Sequence, residues 1–472
     1  MSVLVNICKE EGTNNFNSFP PIVTRWLPSL QAAGISSNSD PYSGNNIGGF
    51  IAASTINPSN WTRSFSKSAY IDVLPPRSNL HIISGVTVER VVFASNNDQS
   101  GNKIVSAVEF STGRGTEKQS VSVTKEAILS GGAFGSPHIL QVSGVGPRDV
   151  LGAVNVTVQL ELPGVGQHLM DHLTVPVAFN TSADTAGSIH ASGSDLSKSP
   201  AFNSYVNDAI AYINGSRLFD GDASFARFRD QITWELAHPS TSRIPSTSSE
   251  VIEGYRTIYQ ATLEKLYPTV GIVEFLFSIN AVGMIAIQIA LQQAFSQGRM
   301  YITSPSVYDN PAIDPQYLSH PADIVVLRQG LKLARVIADT PPLSSVLTGE
   351  TRPGAQVQSD TDIEAYIRST VASEFHPCGT CAMLPREKGG VVDARFRVYS
   401  VKNLRVVDSS VFPVSFSAHL VAPTYALAEK AAELILEDWK TTPTKKNSAY
   451  GMKGGLGRMW IFLFLVVVVG LV

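Results

Sequence analysis

The 472-residue sequence predicts an α/β body interrupted by an inserted lobe, and three observations carry that expectation. A β-rich run over 121–129 ends in glycines and opens into a helix at Ser136-Pro137. A short strand over 404–407 ends at Asp408 and Ser409, and Pro423 then starts a second helix. Between them, from Asp171 to about Ala372, the texture changes and serine-rich loops appear at 188–199 and 239–249, which marks a lobe set between two parts of one domain.

Each element has its own signal. Residues 79–93 read as a strand, a turn at Gly85 and a second strand, rich in β-branched side chains, and 104–110 continues the pattern. Ser136 suits an N-cap, Pro137 the first helical position, and Gly144 the end of that helix. The apolar run 271–291 approaches the length of a membrane span, but it contains Glu274, Asn280 and Gln288 and leads into a polar segment, so it reads as a buried core element. Helical periodicity returns at 323–338 and at 423–439, where Leu427, Ala431, Leu434 and Ile435 share one face.

Composition narrows the function. At 43% hydrophobic and 16% charged the chain is far from the disordered regime, and a net charge of −3 with no long basic run gives nucleic-acid binding no electrostatic support. Three cysteines (Cys8, Cys378, Cys381) are too few for a disulfide scaffold. Four sequons, at Asn60, Asn155, Asn180 and Asn214, favour a secreted or cell-surface glycoprotein, although polar loops also produce such triplets by chance, and the first residues lack the form of a signal peptide. The run 460–472 is apolar and short for a transmembrane helix. It is either a lipid-anchor attachment signal, with Asn447-Ser448-Ala449 as the cleavage region, or a tail without function.

The chemistry concentrates near the C-terminal part. His376 lies in EFHPCGTCAM and His419 in SFSAHLVAPTYA, with Asp408 and Ser409 between them at the carboxyl end of a strand, where α/β sheets gather ligands. Two histidines suit oxidation of an alcohol by hydride transfer: neutral imidazole, with an ordinary pKa of ~6.5, accepts the hydroxyl proton, and a second holds the same oxygen. A histidine taken singly is as readily a structural residue. Neither does redox work itself, so a cofactor must take the hydride. Cys378 and Cys381 have CxxC spacing, but no βαβ start precedes them, and a GxSxG nucleophile elbow is absent.

A series of motifs then fixes a resemblance. GAFGSPHILQVSGVG from Gly132, LPGVGQHLMDH from Leu162, the stretch 299–323, EFHPCGTCAM, VVDARFRVYSVKNLRVVDSSVFP and AEKAAELI occur in the order found in glucose–methanol–choline oxidoreductases, and the likeness runs from about Asp40 to Trp439. It implies a doubly wound FAD-binding domain, incomplete at its N-terminus, carrying an inserted substrate lobe of antiparallel sheet plus helices. The boundaries expected are 1–170 and 373–440 for the FAD-binding parts, 171–372 for the lobe, and 441–472 for a linker and hydrophobic tail. By resemblance His376 falls on the catalytic base and His419 on the second active-site position. Val88 falls by the adenine, Asp408 and Ser409 by the pyrophosphate and ribityl chain, and Leu420 and Val421 by the flavin ring. Arg397 and Val398 fall where oxidase members approach dioxygen. The implied partners are an alcohol and dioxygen or another electron acceptor, with no metal. The FSAH form around His419 resembles fungal members acting on aryl or other small alcohols.

One expected feature is missing. These flavoproteins begin with a strand, a GxGxxG turn and a helix that cradle the pyrophosphate, and this sequence contains no such turn. Three expectations follow: a flavoenzyme whose first segment lies outside these residues, a non-catalytic surface-anchored glycoprotein or truncated product, or a two-chain enzyme. The first is favoured, with little or no activity expected of the chain alone.

Overall fold

Alternation along two strands of the apolar run sets the architecture. In the computed structural model, which describes residues 20–57, 59–237, 244–440 and 466–468, the principal strands in chain order are β1 (Gly48–Ile51), β2 (Thr87–Phe93), β3 (Val105–Ser111), β4 (Gln119–Ser122), β5 (Ala127–Leu129), β6 (Leu173–Thr181), β7 (Ala209–Ile213), β8 (Val273–Ala281), β9 (Met284–Leu291), β10 (Leu347–Arg352), β11 (Ala372–Ser373), β12 (Leu404–Val406) and β13 (Val466–Val468). Helix α1 spans Gly132–Val142, α2 Pro321–Ala338 and α3 Val421–Trp439.

Strands β8 and β9 form a hairpin, so the run 271–291 is a buried core element, as its polar residues require. The lobe's antiparallel sheet has the order β1-β7-β8-β9-β6-β10, with β11 also pairing to β6. Because side chains alternate across a strand, Val273, Phe275 and Phe277 enter the apolar core while Glu274 points to the opposite face, where it too is wholly buried. Helix α2 covers the core face. Gly330 allows that approach, since a Cβ there would come within 2.5 Å of Ile289 Cγ2.

The packing divides the first 170 residues differently from the sequence. Ile22, Val23, Trp26, Leu30 and Ile35 belong to the lobe's core, with Trp26 stacked on Phe277 at 5.0 Å, and β1 is a strand of the lobe's sheet. Apolar side chains too few to form a core of their own are buried where a sheet face is available.

The second core belongs to the α/β part. Strands β12, β5 and β13 are parallel, in that order, and β2-β3-β4 form a three-stranded antiparallel sheet beside them. Of the apolar tail, only the backbone of β13 is described; the proposed cleavage region and Cys8 lie outside the described residues. Only Thr87–Phe93 of the expected 79–93 hairpin is a strand; Ile82 and Ile83 are exposed, with no partner strand to bury them. Helix α1 starts before the expected cap: Gly131 is the N-cap, while Ser136 lies inside the helix. Its hydroxyl bonds Gly131 N–H and the Asp408 carboxylate at 2.5 Å, and that tertiary partner displaces the capping role. Gly144, at φ +83°, ends the helix as expected.

A buried ion network fastens α3 to this sheet. Arg405 on β12 bonds Glu126 at 2.7 Å and Asp438 at 2.7 Å, Arg395 and Arg397 also reach Asp438, and Trp439 donates to Glu126. Burial works against the Asp438 charge, but the three guanidinium groups outweigh it and hold the carboxyl well below the usual range. Arg397 thus pairs with Asp438, and Val398 lies in the second core. Replacing Arg405 by Leu leaves Glu126 buried without its cation. The expected cost is about 3–5 kcal/mol, read as a lower urea midpoint; an unchanged midpoint would show that the network does not hold the helix.

Candidate active site

Two chain segments that are distant in sequence meet as an antiparallel pair. Met170 and Cys378 exchange backbone hydrogen bonds at 3.0 Å, Leu173 pairs with Ser373, and Glu374 N–H donates to His172 C=O. Asp171 locks the junction. Its Oδ1 accepts from the amides of His172 and His376, both at 2.9 Å, and its Oδ2 accepts from Tyr317 and Ser373. Phe375 takes φ +61°, unusual for a bulky residue; its side chain is 87% exposed while its neighbour His376 turns inward.

His376 meets His419 at 5.0 Å between ring centroids, so the structure brings together the two histidines that the sequence singles out. His419 precedes α3 on a loop held by Gln293, which donates to Ser415 C=O at 2.9 Å and to the Ser417 hydroxyl. Asn46 donates to Ser417 C=O. His419 Nε2 lies 3.1 and 3.2 Å from the two oxygens of Glu274, on the buried polar face of β8. His376 Nδ1 lies 2.9 Å from His172 Nδ1.

These contacts separate the two imidazoles electrically. Burial opposes charge on His419, but the Glu274 carboxylate outweighs it and raises the pKa to about 9. Burial, followed by the nearby His419 charge, pushes His376 down to about 4. Glu374, buried and facing Glu274, rises to about 7, and its Oε2 has no hydrogen-bond partner. At neutral pH the site therefore holds one cationic and one neutral histidine. The nitrogens and carboxylates of these groups lie within 4.8 Å in two triplets, His172 with Glu374 and His376, and Glu274 with Glu374 and His419, and the imidazoles are paired within the cluster.

The remaining expected residues occupy distinct places. Ser409 approaches the histidine segment, its hydroxyl donating to Pro377 C=O and its carbonyl accepting from Gly379. Asp408 is fully turned inward: it accepts from Gly132 N–H, Ser136 and Ser410 N–H, so it orders the start of α1. Leu420 is the N-cap of α3 and is buried, whereas Val421 is exposed. Val88 is half-buried on β2, against the second core. Cys378 and Cys381 are buried, free thiols; burial pushes Cys378 up to about 12 and Cys381 well above the ordinary thiol value, so neither is a ready thiolate. A cavity of about 240 Å³ is walled by Phe134, Ile313, Tyr317, Phe375 and Pro377 among others, on the side of the segment to which odd-numbered residues point; Glu374 and His376 are not in its lining.

Sequence reasoning misses Asp171, His172 and Glu274 as site residues. Asp171 and His172 end the LPGVGQHLMDH stretch. Glu274 had a physical signal: a lone carboxylate in a buried apolar run requires a partner.

Two family models described as GMC oxidoreductase match residues 14–174 and 294–428. Dehydrogenase xptC of Emericella nidulans is 31% identical over 453 residues, covering 89% of this chain and 68% of its own length. The chain belongs to the GMC oxidoreductase family. The GMC oxidoreductase family protein Mala s 12 of Malassezia sympodialis is 38% identical over 419 residues, 88% of this chain, and the chain spans 65% of the length of that relative. Among solved structures, an FAD-dependent oxidoreductase from Chaetomium thermophilum superposes with a TM-score of 0.81 at 27% identity, over 90% of this chain and 73% of the other. A fungal aryl-alcohol oxidase gives 0.79 at 27% identity, over 90% and 72%. The mixed α/β GMC fold expected from the sequence is the fold observed.

The Glu274–His419 pair makes a testable statement about pH. Because its folded pKa is raised, His419 contributes stability that is full below about 6.5 and is lost as pH rises through about 9. Replacing Glu274 by Gln removes the largest favourable charge, so the His419 pKa falls from about 9 towards the ordinary imidazole value in an NMR titration. A His419 titration unmoved by the substitution would show that Glu274 does not hold its proton.

Proposed function

We propose that this protein oxidises a primary or secondary alcohol by hydride transfer to FAD, with His376 as the proton acceptor and His419 as the charged donor that holds the substrate oxygen. The observation that carries this reading is the pair of imidazoles 5.0 Å apart, His419 held by the Glu274 carboxylate and His376 by a second imidazole. The carboxylate favours charge on His419, and burial leaves His376 with a lone pair to accept the hydroxyl proton. The His419 cation, kept charged by Glu274, stabilises the negative charge that develops on the alcohol oxygen. Relatives named as an aryl-alcohol oxidase and a choline dehydrogenase support the substrate class.

The chain's residues fit the ring end of a flavin. Apolar Phe416 and Val421, in the segment that carries His419, are 43% and 53% exposed, area suited to covering by a flat aromatic group. A Cβ at Gly132 would meet nothing within 4 Å, leaving room at the start of α1. Val421 and Leu420 would face the ring, Ser409 would hold the chain linking it to the phosphates, and Asp408 would act by fixing the Gly132 backbone. Bound FAD supplies the hydride acceptor, whose reoxidation falls to dioxygen or another electron acceptor. The sequence has no GxGxxG turn to cradle the pyrophosphate, so the affinity of these residues alone for FAD is expected to be weak.

In this reading, 171–372 serves as the substrate lobe. The sequons and the apolar tail support a secreted or surface location, the tail serving as an anchor signal; among the described residues no helix is long and apolar enough to cross a membrane.

The test is spectroscopic. The chain, extended by a relative's glycine-turn segment and supplied with FAD, has its visible flavin band followed anaerobically with a panel of aryl and alkyl alcohols. The expected result is bleaching by at least one alcohol, slowed by on the order of 10²–10⁴-fold in His376→Ala while flavin stays bound. Near-normal bleaching in that variant would remove His376 from the chemistry, and failure to retain any flavin would favour a non-catalytic glycoprotein.

A further inference from the structure

His172 is wholly buried, and its ring is wedged between the His376 ring and the loop that carries His419. The two imidazoles meet edge-on, 4.9 Å apart at 80°, with 2.9 Å between their Nδ1 atoms, while His172 Nε2 lies 2.8 Å from the Ser415 hydroxyl. A hydrogen bond between two Nδ1 atoms holds one proton, so one ring donates and the other accepts. The choice fixes the tautomer of both rings, because a neutral imidazole carries a single N–H. If His172 donated, His376 would carry its own proton on Nε2 and have no lone pair there.

The two ends of the His172 ring are both occupied, by His376 Nδ1 and by the Ser415 hydroxyl, which can donate or accept. A His376 that takes the alcohol proton at Nε2 must be bare there, so its own proton sits on Nδ1 and is donated to His172 Nδ1. Burial disfavours a charge on His172, pushing it well below the ordinary value, so its single N–H lies on Nε2, facing the Ser415 hydroxyl. We propose that His172 is the positioning residue that makes Nε2 of His376 the proton-accepting atom, with the Ser415 hydroxyl fixing His172 in turn. This rests on the reading of His376 as the base and adds the atom and the cause. Asp171, which holds the amides of both His172 and His376, keeps the two rings in register.

Nitrogen-15 NMR of the full chain labelled at histidine tests it, because the pattern of ring couplings separates the two tautomers and does not depend on catalysis. The expected wild-type pattern at neutral pH is His376 protonated at Nδ1 and His172 at Nε2. In His172→Phe the acceptor is gone, and His376 shifts towards the Nε2–H form. In His172→Asn the side-chain oxygen replaces Nδ1 as acceptor, and the wild-type form of His376 returns. Ser415→Ala, a milder change, shifts the His172 pattern if the Phe variant does not fold. Alcohol-driven flavin reduction is expected to fall on the order of 10²-fold in the Phe variant and to recover in the Asn variant. An Nε2-protonated His376 in the wild type overturns the proposal, as does a His376 tautomer unchanged in His172→Phe. The wild-type tautomers as expected, with no alcohol reducing the flavin, would overturn the reading of function and leave this inference standing.

Discussion

A carboxylate wholly buried in a sheet must have a compensating cation or give up its charge, and the site follows from how Glu274 meets that constraint. It sits on the lobe's β8, in register with strands that belong entirely to the lobe, and its partner His419 arrives from the other end of the chain. One contact therefore joins the lobe to the α/β part and sets the charge of one histidine. The charge on His419 then acts on its neighbours: it helps to keep His376 neutral, and it offsets part of the repulsion that raises Glu374.

The two bodies around this contact are held by different physics. The lobe is an apolar sheet with a helix on its core face, and it takes up the early segment 22–35 because that segment's Trp26 and Leu30 find their burial there. The α/β part has a smaller core and relies on a buried charge network, in which Arg405 links two strands to the end of α3. Fixing the far end of that helix steadies its first turn, which follows directly on His419. The antiparallel pairing of 170–173 with 373–378, clamped by Asp171, does the same for His376. Both histidines thus rest on backbone that is hydrogen-bonded on more than one side, the condition for holding reactive groups in place without a moving part.

Several residues of reactive or ligand-binding type are also held by partners within the fold. Asp408 stands at a strand end, a customary place for ligand contact, yet it spends its oxygens on Gly132, Ser136 and Ser410 and so shapes the loop that opens α1. The CxxC pair is buried as thiols. Arg397 serves Asp438. In each case a residue of the right type is committed to a partner that only the tertiary fold supplies.

The amino-acid sequence by itself determined the fold family, the helices expected at 323–338 and 423–439 (each of which begins two residues earlier), the buried nature of 271–291 and the choice of the two histidines, because these rest on local periodicity and on ordered motifs that survive without knowledge of contacts. It left the strand boundaries around 79–86 and the start of α1 wrong, since both depend on whether a partner is present to bury or bond the residue. Only the tertiary structure decided that segment 20–51 packs with the lobe, that Asp171 clamps two segments, and that Glu274 and His172 are the partners of His419 and His376. Those pairings join residues 145 and 204 positions apart. Protonation depends on burial and on charges a few ångströms away, and neither is a property of any stretch of sequence.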